Sequence, residues 1–254
     1  MDSGYYAACA GLAAQTQALD LVAHNLANLG TTGYRGEQAT FRSLVAGSNG
    51  VSNPLVLNAL ASNGLNAAVN DFGVLGGSRV DLTAGSLTAT GNPLDLGIAG
   101  AGFFVVKSSA GVAYTRNGSF HVTAAGQLVT GQGDSLLDEK GSPITLPNGA
   151  VAVSADGTVS VDGNVTAKLG LAEFSPATNL QALGNALYAA PAASALPPAA
   201  TSVHQGMLEE SNVSAVESVV QLINLQRKAE MMQRALSIFD SQFNQTAVTD
   251  LPRI

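Results

Sequence analysis

The chain has 254 residues, of which 46% are hydrophobic and 11% charged, with a formal net charge of -7 and a pI near 4.8. That is enough apolar material for a core in one or two domains and excludes disorder throughout, while an acidic balance without a Lys/Arg cluster excludes binding to a nucleic-acid backbone. A single cysteine, Cys9, excludes an intrachain disulfide and any cysteine-based zinc site, and the absence of Trp beside abundant Gly, Ala, Ser, Asn and Thr is closer to an extracellular structural protein than to a cytosolic enzyme.

A first helix is predicted from Ser3 to about Asn28. Tyr5, Ala8, Leu12, Gln15, Leu19, Val22, Leu26 and Leu29 step alternately by three and four with only Gln15 polar, which is the seam of a coiled coil. Cys9 fits this helix as a small apolar residue. Gly30 and Gly33 end it, so residues 1–44 read as a helix and turn. A cleaved secretory signal is not expected, because Gln15, Gln17 and Asp20 interrupt the apolar positions and no basic residue precedes them. No run approaches the roughly 20 apolar residues of a membrane span, so the chain is not expected to cross a membrane.

Residues 45–84 are rich in Asn, Gly, Ser and Leu, carry no clear period and read as loop with short strands. From residue 85 to 189 short β-branched and aromatic runs alternate with turn residues. Phe103-Phe104-Val105-Val106, Val112-Ala113-Tyr114-Thr115 and Ser119-Phe120-His121-Val122 are separated by Ala110-Gly111 and Asn117-Gly118, and Asp156-Gly157 and Asp162-Gly163 flank Thr158-Val159-Ser160-Val161. Asn-Gly and Asp-Gly favour the positive φ of tight hairpins, so this stretch is predicted to be an antiparallel β domain.

Residues 190–205 are Pro/Ala/Ser-rich and read as a linker returning the chain to a second helix within 206–254. Ser214-Ala215-Val216-Glu217 fits a capping box at its start. The helix is predicted to run to about Thr246, with Pro252 precluding continuation. Leu222, Leu225, Ala229, Met232, Leu236, Phe239 and Phe243 repeat the three/four step of the first helix. Neither stripe can be buried by its own helix, so Leu12, Leu19, Val22 and Leu26, with Leu222, Leu225, Met232, Leu236, Phe239 and Phe243, are predicted to pack helix on helix or between copies. The predicted fold is α+β: a central antiparallel β domain, and terminal helices that pair in a coiled-coil-like domain. Arg227, Lys228, Glu230 and Arg234 lie off the seam, on a solvated or inter-subunit face.

Catalytic machinery is not expected. Gly100-Ala101-Gly102 opens into a strand rather than a helix N-terminus and so cradles no phosphate. His24, His121 and His204 are scattered over different elements, which leaves no expected metal site, and no cofactor motif is present. Asp134, Asp138, Glu139 and Asp156 sit among Gly and Ser, where carboxylates stabilise turns.

Three blocks resemble the axial proteins of the bacterial flagellum. Asn25-Leu26-Ala27-Asn28 with Thr31-Thr32-Gly33-Tyr34-Arg35 resembles the N-terminal rod signature, here Asn25, Leu26, Ala27, Asn28, Thr32, Gly33 and Tyr34. Gly91-Asn92-Pro93-Leu94-Asp95-Leu96, Gly102-Phe103-Phe104-Val105-Val106 and Tyr114-Thr115-Arg116-Asn117-Gly118-Ser119-Phe120 resemble the central β domain of rod and hook proteins. Gly206-Met207-Leu208-Glu209-Glu210-Ser211-Asn212-Val213 resembles their C-terminal segment. The resemblance implies a structural subunit of the basal-body rod. Its terminal helices would bundle with copies of itself and with other rod and hook proteins. The flagellar export apparatus would carry it, uncleaved, to the periplasmic portion of the basal body, and it would have no small-molecule substrate. Length and the Met1-Asp2 opening are similar to the proximal rod type; the distal rod or hook type and, remotely, a cell-wall-acting enzyme are the alternatives.

Overall fold

Phe103-Phe104-Val105-Val106 is apolar at four successive positions because its strand faces a core on both sides. In the computed structural model, which describes residues 2–42, 74–175, 178–191, 194–198 and 201–250, Phe104 and Val106 enter one apolar cluster and Phe103 another. Successive side chains on a strand point to opposite faces, so a strand covered on both sides needs no polar alternation.

The chain opens with α1 (Asp2–Ala27), β1 (Glu37–Arg42), β2 (Val74–Val80), β3 (Leu87–Ala89), β4 (Leu96–Ala99), β5 (Gly102–Ser108), β6 (Gly111–Thr115), β7 (Phe120–Val122), β8 (Leu128–Thr130) and β9 (Ser135–Leu136). It continues through β10 (Val151–Val153), β11 (Thr158–Val161), β12 (Asn164–Lys168), β13 (Leu171–Phe174), β14 (Gln181–Gly184), β15 (Leu187–Ala189), β16 (Ala195–Leu196), β17 (Ser202–Gln205) and β18 (Met207–Glu209), and ends in α2 (Ala215–Asp250). The fold is α+β. The largest sheet runs β14-β15-β6-β5-β9-β8-β7, with β13 against β5 and β16 against β13, and β10-β11-β12 form a three-stranded sheet. Two-stranded ladders join β1 to β2, β17 to β4 and β18 to β3.

The first cluster gathers Leu96, Ile98, Phe104, Phe120, Leu136, Val159, Leu169 and Val203, with the Phe104 and Phe120 rings edge to face at 5.2 Å. On the other side of β5, Phe103, Tyr114, Phe174 and Tyr188 pack as a second aromatic group, Tyr114 and Phe174 at 4.8 Å. Such edge-to-face pairs place a positive ring edge on a negative ring face.

The predicted hairpins at Asp156-Gly157 and Asp162-Gly163 are present, joining β10 to β11 and β11 to β12. Asp162 and Gly163 have φ of 51° and 83°, the positive pair that a two-residue hairpin needs. Asn117-Gly118 is different: β6 pairs with β5 and β15, and β7 with β8, so no hairpin closes there. Gly118 is needed for another reason. A Cβ on it would lie 1.7 Å from the Leu96 carbonyl oxygen, and Gly118 itself accepts a hydrogen bond from the Leu96 N–H.

The segment read as a linker over 190–205 is not all linker. Ser202–Gln205 pairs antiparallel with β4, Val203 opposite Ile98, and Met207–Glu209 then pairs with β3. The return path to the second helix is therefore stitched into the β body. Residues 45–73 of the Asn/Gly/Ser-rich stretch, and the side chains of Tyr5, Ala8, Phe239 and Phe243, lie outside the described residues.

Two compact units are distinguished: one of Met1–His24, Gln38–Ser78 and Val216–Ile254, the other of Asn25–Glu37 and Arg79–Ala215. In the first, α1 buries Gly11, Ala14, Ala18 and Val22, while Leu12, Gln15, Leu19 and Leu26 are half-buried. The covered face of α1 is thus centred one position away from the predicted seam, on its smallest residues. In α2, Ser218 and Ala229 are buried and Leu222, Leu225, Met232 and Leu236 half-buried.

Candidate functional site

The second unit contains a polar clamp at the roots of both helices. Arg35, Arg116 and Glu209 are each at most 1% exposed. One Glu209 oxygen accepts from Arg35 Nη2 at 2.6 Å, and the other accepts from Arg116 Nη1 at 3.0 Å. Two guanidinium groups against one carboxylate leave an excess positive charge out of water, which would be costly if undistributed. It is distributed: Arg35 Nη1 donates to the Thr83 carbonyl and Arg116 Nη2 to the Gly100 carbonyl, and the Arg116 guanidinium lies 4.8 Å from the centre of the Phe103 ring. Burial pulls Arg116 down to about 10; Glu209 opposes this and the like charge of Arg35 adds to it.

Around the triad, backbone groups close the junction. The Arg35 N–H donates to the Tyr188 hydroxyl at 2.8 Å, the Gly33 N–H to the Glu209 carbonyl at 2.7 Å, and the Gly85 N–H to Glu209 Oε1 at 2.8 Å. Burial pushes the Tyr188 phenol up to about 12. Gly33 has φ +66°, and a Cβ on it would lie 2.3 Å from the Arg116 backbone, so only glycine fits.

Of the rod signature residues, Gly33 donates its N–H to the Glu209 carbonyl, and Asn25, Asn28 and Tyr34 are tied into the turn that leads to Arg35 and the strand after it. Asn25 Oδ1 accepts from the Tyr34 hydroxyl and the Glu37 N–H, and its Nδ2 donates to the Glu37 carbonyl at 2.7 Å, which ties the last turn of α1 to the strand after it. Asn28 receives the Thr31 hydroxyl and N–H. Leu26 and Thr32 are half-buried and Ala27 is exposed. Tyr34 is buried, its phenol raised by burial with Glu37 adding. On the C-terminal side Asn212, three residues before the start of α2, accepts from the Gly36 N–H and donates to the Asp81 and Thr83 carbonyls.

Asp134, Asp138 and Asp156 serve turns. Asp138 accepts from the Lys140 and Ser142 N–H groups, Asp156 from the Thr158 N–H and hydroxyl, and Asp134 from the Thr130 hydroxyl. Those Thr158 donors hold the Asp156 carboxyl below its usual range. Glu139 forms a half-exposed ion pair with Lys168 at 2.6 Å.

Sequence reasoning placed Arg35, Arg116 and Glu209 inside its three blocks without assigning them a task. The available signal was scarcity: in a chain only 11% charged, each block carries one of the three.

A β body with helices rooted at both ends, and its polar chemistry spent on holding those roots, defines a structural subunit. Comparison with known proteins identifies which. Residues 6–35 match the family model "Flagella basal body rod protein", residues 97–167 "Flagellar hook protein FlgE/F/G D1 domain" and residues 204–247 "Flagellar basal body rod FlgEFG protein C-terminal". The chain is 33% identical to the flagellar basal-body rod protein FlgF of Caulobacter vibrioides over 100% of both chains. It is 33% identical to FlgF of Mesorhizobium japonicum over 91% of this chain and 90% of the relative, and 32% identical to FlgG of Agrobacterium fabrum over 92% and 94%. The chain belongs to the flagellar basal-body rod protein family and is a structural rod subunit. Each matched stretch contributes one corner of the clamp: Arg35, Arg116 and Glu209.

Proposed function

We propose that the chain polymerises through its terminal helices, with copies of itself and with other axial proteins of rod and hook, into the drive shaft of the flagellum. It reaches the periplasmic portion of the basal body through the flagellar export apparatus and does no chemistry there. The observation that carries this reading is the pairing of two features: apolar stripes on both terminal helices, and a buried clamp that ties the root of one helix to the root of the other. A stripe on a helix is stabilised only by a partner surface, and a shaft transmits torque only if its helices are held by the body behind them. The carboxylates that an enzyme reading would use are engaged with turn donors or with Lys168, which supports the structural reading.

Electron microscopy of basal bodies tests it. Cells lacking the gene are expected to show incomplete rods and no swimming, restored by the full chain and not by a chain ending at residue 214. Complete rods in the deletion strain would contradict the reading.

A further inference from the structure

Two Asn-Gly pairs lie among the described residues, and the fold treats them oppositely. An asparagine side-chain amide is open to attack by the backbone nitrogen of the next residue, most of all before glycine, which has no Cβ to shield that nitrogen or restrict its swing. At Asn117-Gly118 the swing is blocked. Asn117 Oδ1 accepts from the Ser119 N–H at 3.0 Å, and Gly118 is buried, with its carbonyl bonded to the Leu96 N–H and the Leu96 carbonyl oxygen standing where a Cβ would be. Asn148-Gly149 is open. Both residues are exposed, and neither the Asn148 side chain nor the Gly149 N–H makes a hydrogen bond among the described residues. Asn49-Gly50 and Asn63-Gly64 lie outside the described residues.

The turn around Asn148 is pinned on each side and free between. The Leu146 N–H donates to the Gly126 carbonyl at 2.7 Å, and the Ala150 N–H donates to Asp162 Oδ1 at 2.9 Å. Asp162 Oδ2 lies 2.3 Å from where a Gly149 Cβ would sit, so a side chain at 149 would have to displace the carboxylate that holds Ala150. We infer that Asn148 is a site of spontaneous modification, with water as the co-reactant. The Gly149 nitrogen bonds to Asn148 Cγ and gives its proton to solvent, the Cγ–Nδ2 bond breaks, and ammonia leaves with a proton taken from solvent. Water then opens the resulting succinimide, at Cγ to give aspartate or at the main-chain carbonyl to give isoaspartate. One water is consumed, one ammonia is released, and nothing is oxidised or reduced. The product carries a new carboxylate near Asp162, and isoaspartate also lengthens the main chain by one carbon ahead of Gly149. Both changes oppose the bond between Asp162 and Ala150, the residue before β10, so the reaction loosens the β10 edge of the three-stranded sheet.

Peptide mass spectrometry of the full chain, aged at mildly alkaline pH and fragmented so that isoaspartate and aspartate are told apart, tests it. In the folded chain Asn148 is expected to convert faster than Asn117 by about tenfold or more, since freeing Asn117 Oδ1 from the Ser119 N–H alone carries about that factor. In urea the two are expected to convert at similar rates. Hydrogen exchange over residues 150–153 is expected to be faster in the aged chain than in the fresh one. Asn148→Gln, at an exposed position without a hydrogen bond, is expected to melt like wild type and to keep its fresh exchange rate on ageing. Conversion of Asn148 no faster than Asn117 in the folded chain, or a difference that persists in urea, would overturn the assignment of this site to the fold. Conversion of Asn148 with unchanged exchange would overturn the loosening of β10, and so would exchange that quickens on ageing in Asn148→Gln as well.

Discussion

Glu209 Oε1 accepts from Arg35 Nη2 at 2.6 Å, although 174 residues separate the two in sequence. Glu209 also holds Arg116, so one carboxylate is the only acidic member of a buried group with two cations. Glu209→Gln is therefore expected to cost about 3–5 kcal/mol, because it leaves both guanidinium groups buried without a counter-charge. Urea denaturation of the full chain measures this, and a loss below about 1 kcal/mol, the range of an exposed pair, would contradict the burial argument.

Gly33→Ala and Gly118→Ala are expected to be among the most damaging single-methyl additions, since the new Cβ would lie 2.3 Å and 1.7 Å from backbone atoms that cannot swing away. Gly141→Ala has φ +79° but open space around it, so it should cost only about 1 kcal/mol of backbone strain. Melting temperatures of the three variants rank them, and equal losses would mean that strain rather than contact governs.

Alkaline stability should follow the tyrosines. Tyr188, pushed up to about 12, and Tyr34 and Tyr114, also raised by burial, keep their protons in the folded chain above the ordinary value of 10.0. The stability they contribute is complete below about pH 10 and is lost as pH rises towards about 12. Arg116 acts in the opposite sense: its folded value is lowered to about 10, so above that pH the unfolded chain holds the extra proton and stability from this group rises. Three tyrosines against one arginine predict a net fall. Tyr188→Phe should lose about 1 kcal/mol at neutral pH, for the hydrogen bond from the Arg35 N–H, and show a shallower alkaline limb. An unchanged limb would assign the fall to other groups.

Asp138→Asn and Asp156→Asn are expected to lower the melting temperature slightly and to leave swimming close to wild type, because an amide oxygen can still accept from the turn donors. Cell-wall digestion by the purified chain, abolished by either change, would contradict the structural role.

The helices were legible because a three/four step survives in any window of sequence, and the Asp-Gly hairpins because two adjacent residues specify them. What escaped was long-range. Val203 meets Ile98 and Leu208 meets Thr88 across more than a hundred residues, and nothing local in a Pro/Ala/Ser-rich run announces such partners. Gly118 looked like a hairpin residue because Asn-Gly carries that signal, while its actual constraint is the Leu96 carbonyl. On α1 the buried positions Gly11, Ala14 and Ala18 each lie one residue before the half-buried Leu12, Gln15 and Leu19, a difference that hydrophobicity, which ranks leucine above glycine and alanine, does not announce. The clamp was hidden for the same reason as the strands: Arg35, Arg116 and Glu209 each look like ordinary surface charges until the fold brings them together.

The central claim, that the terminal helices assemble the rod, is tested most directly in cells whose only copy carries Leu19→Asp or Leu236→Asp. A carboxylate in a half-buried apolar stripe loses hydration without gaining a partner. The account predicts basal bodies with interrupted rods and non-swimming cells, while the purified variants keep the melting transition of the β body. Normal rods and normal swimming in either strain would contradict it.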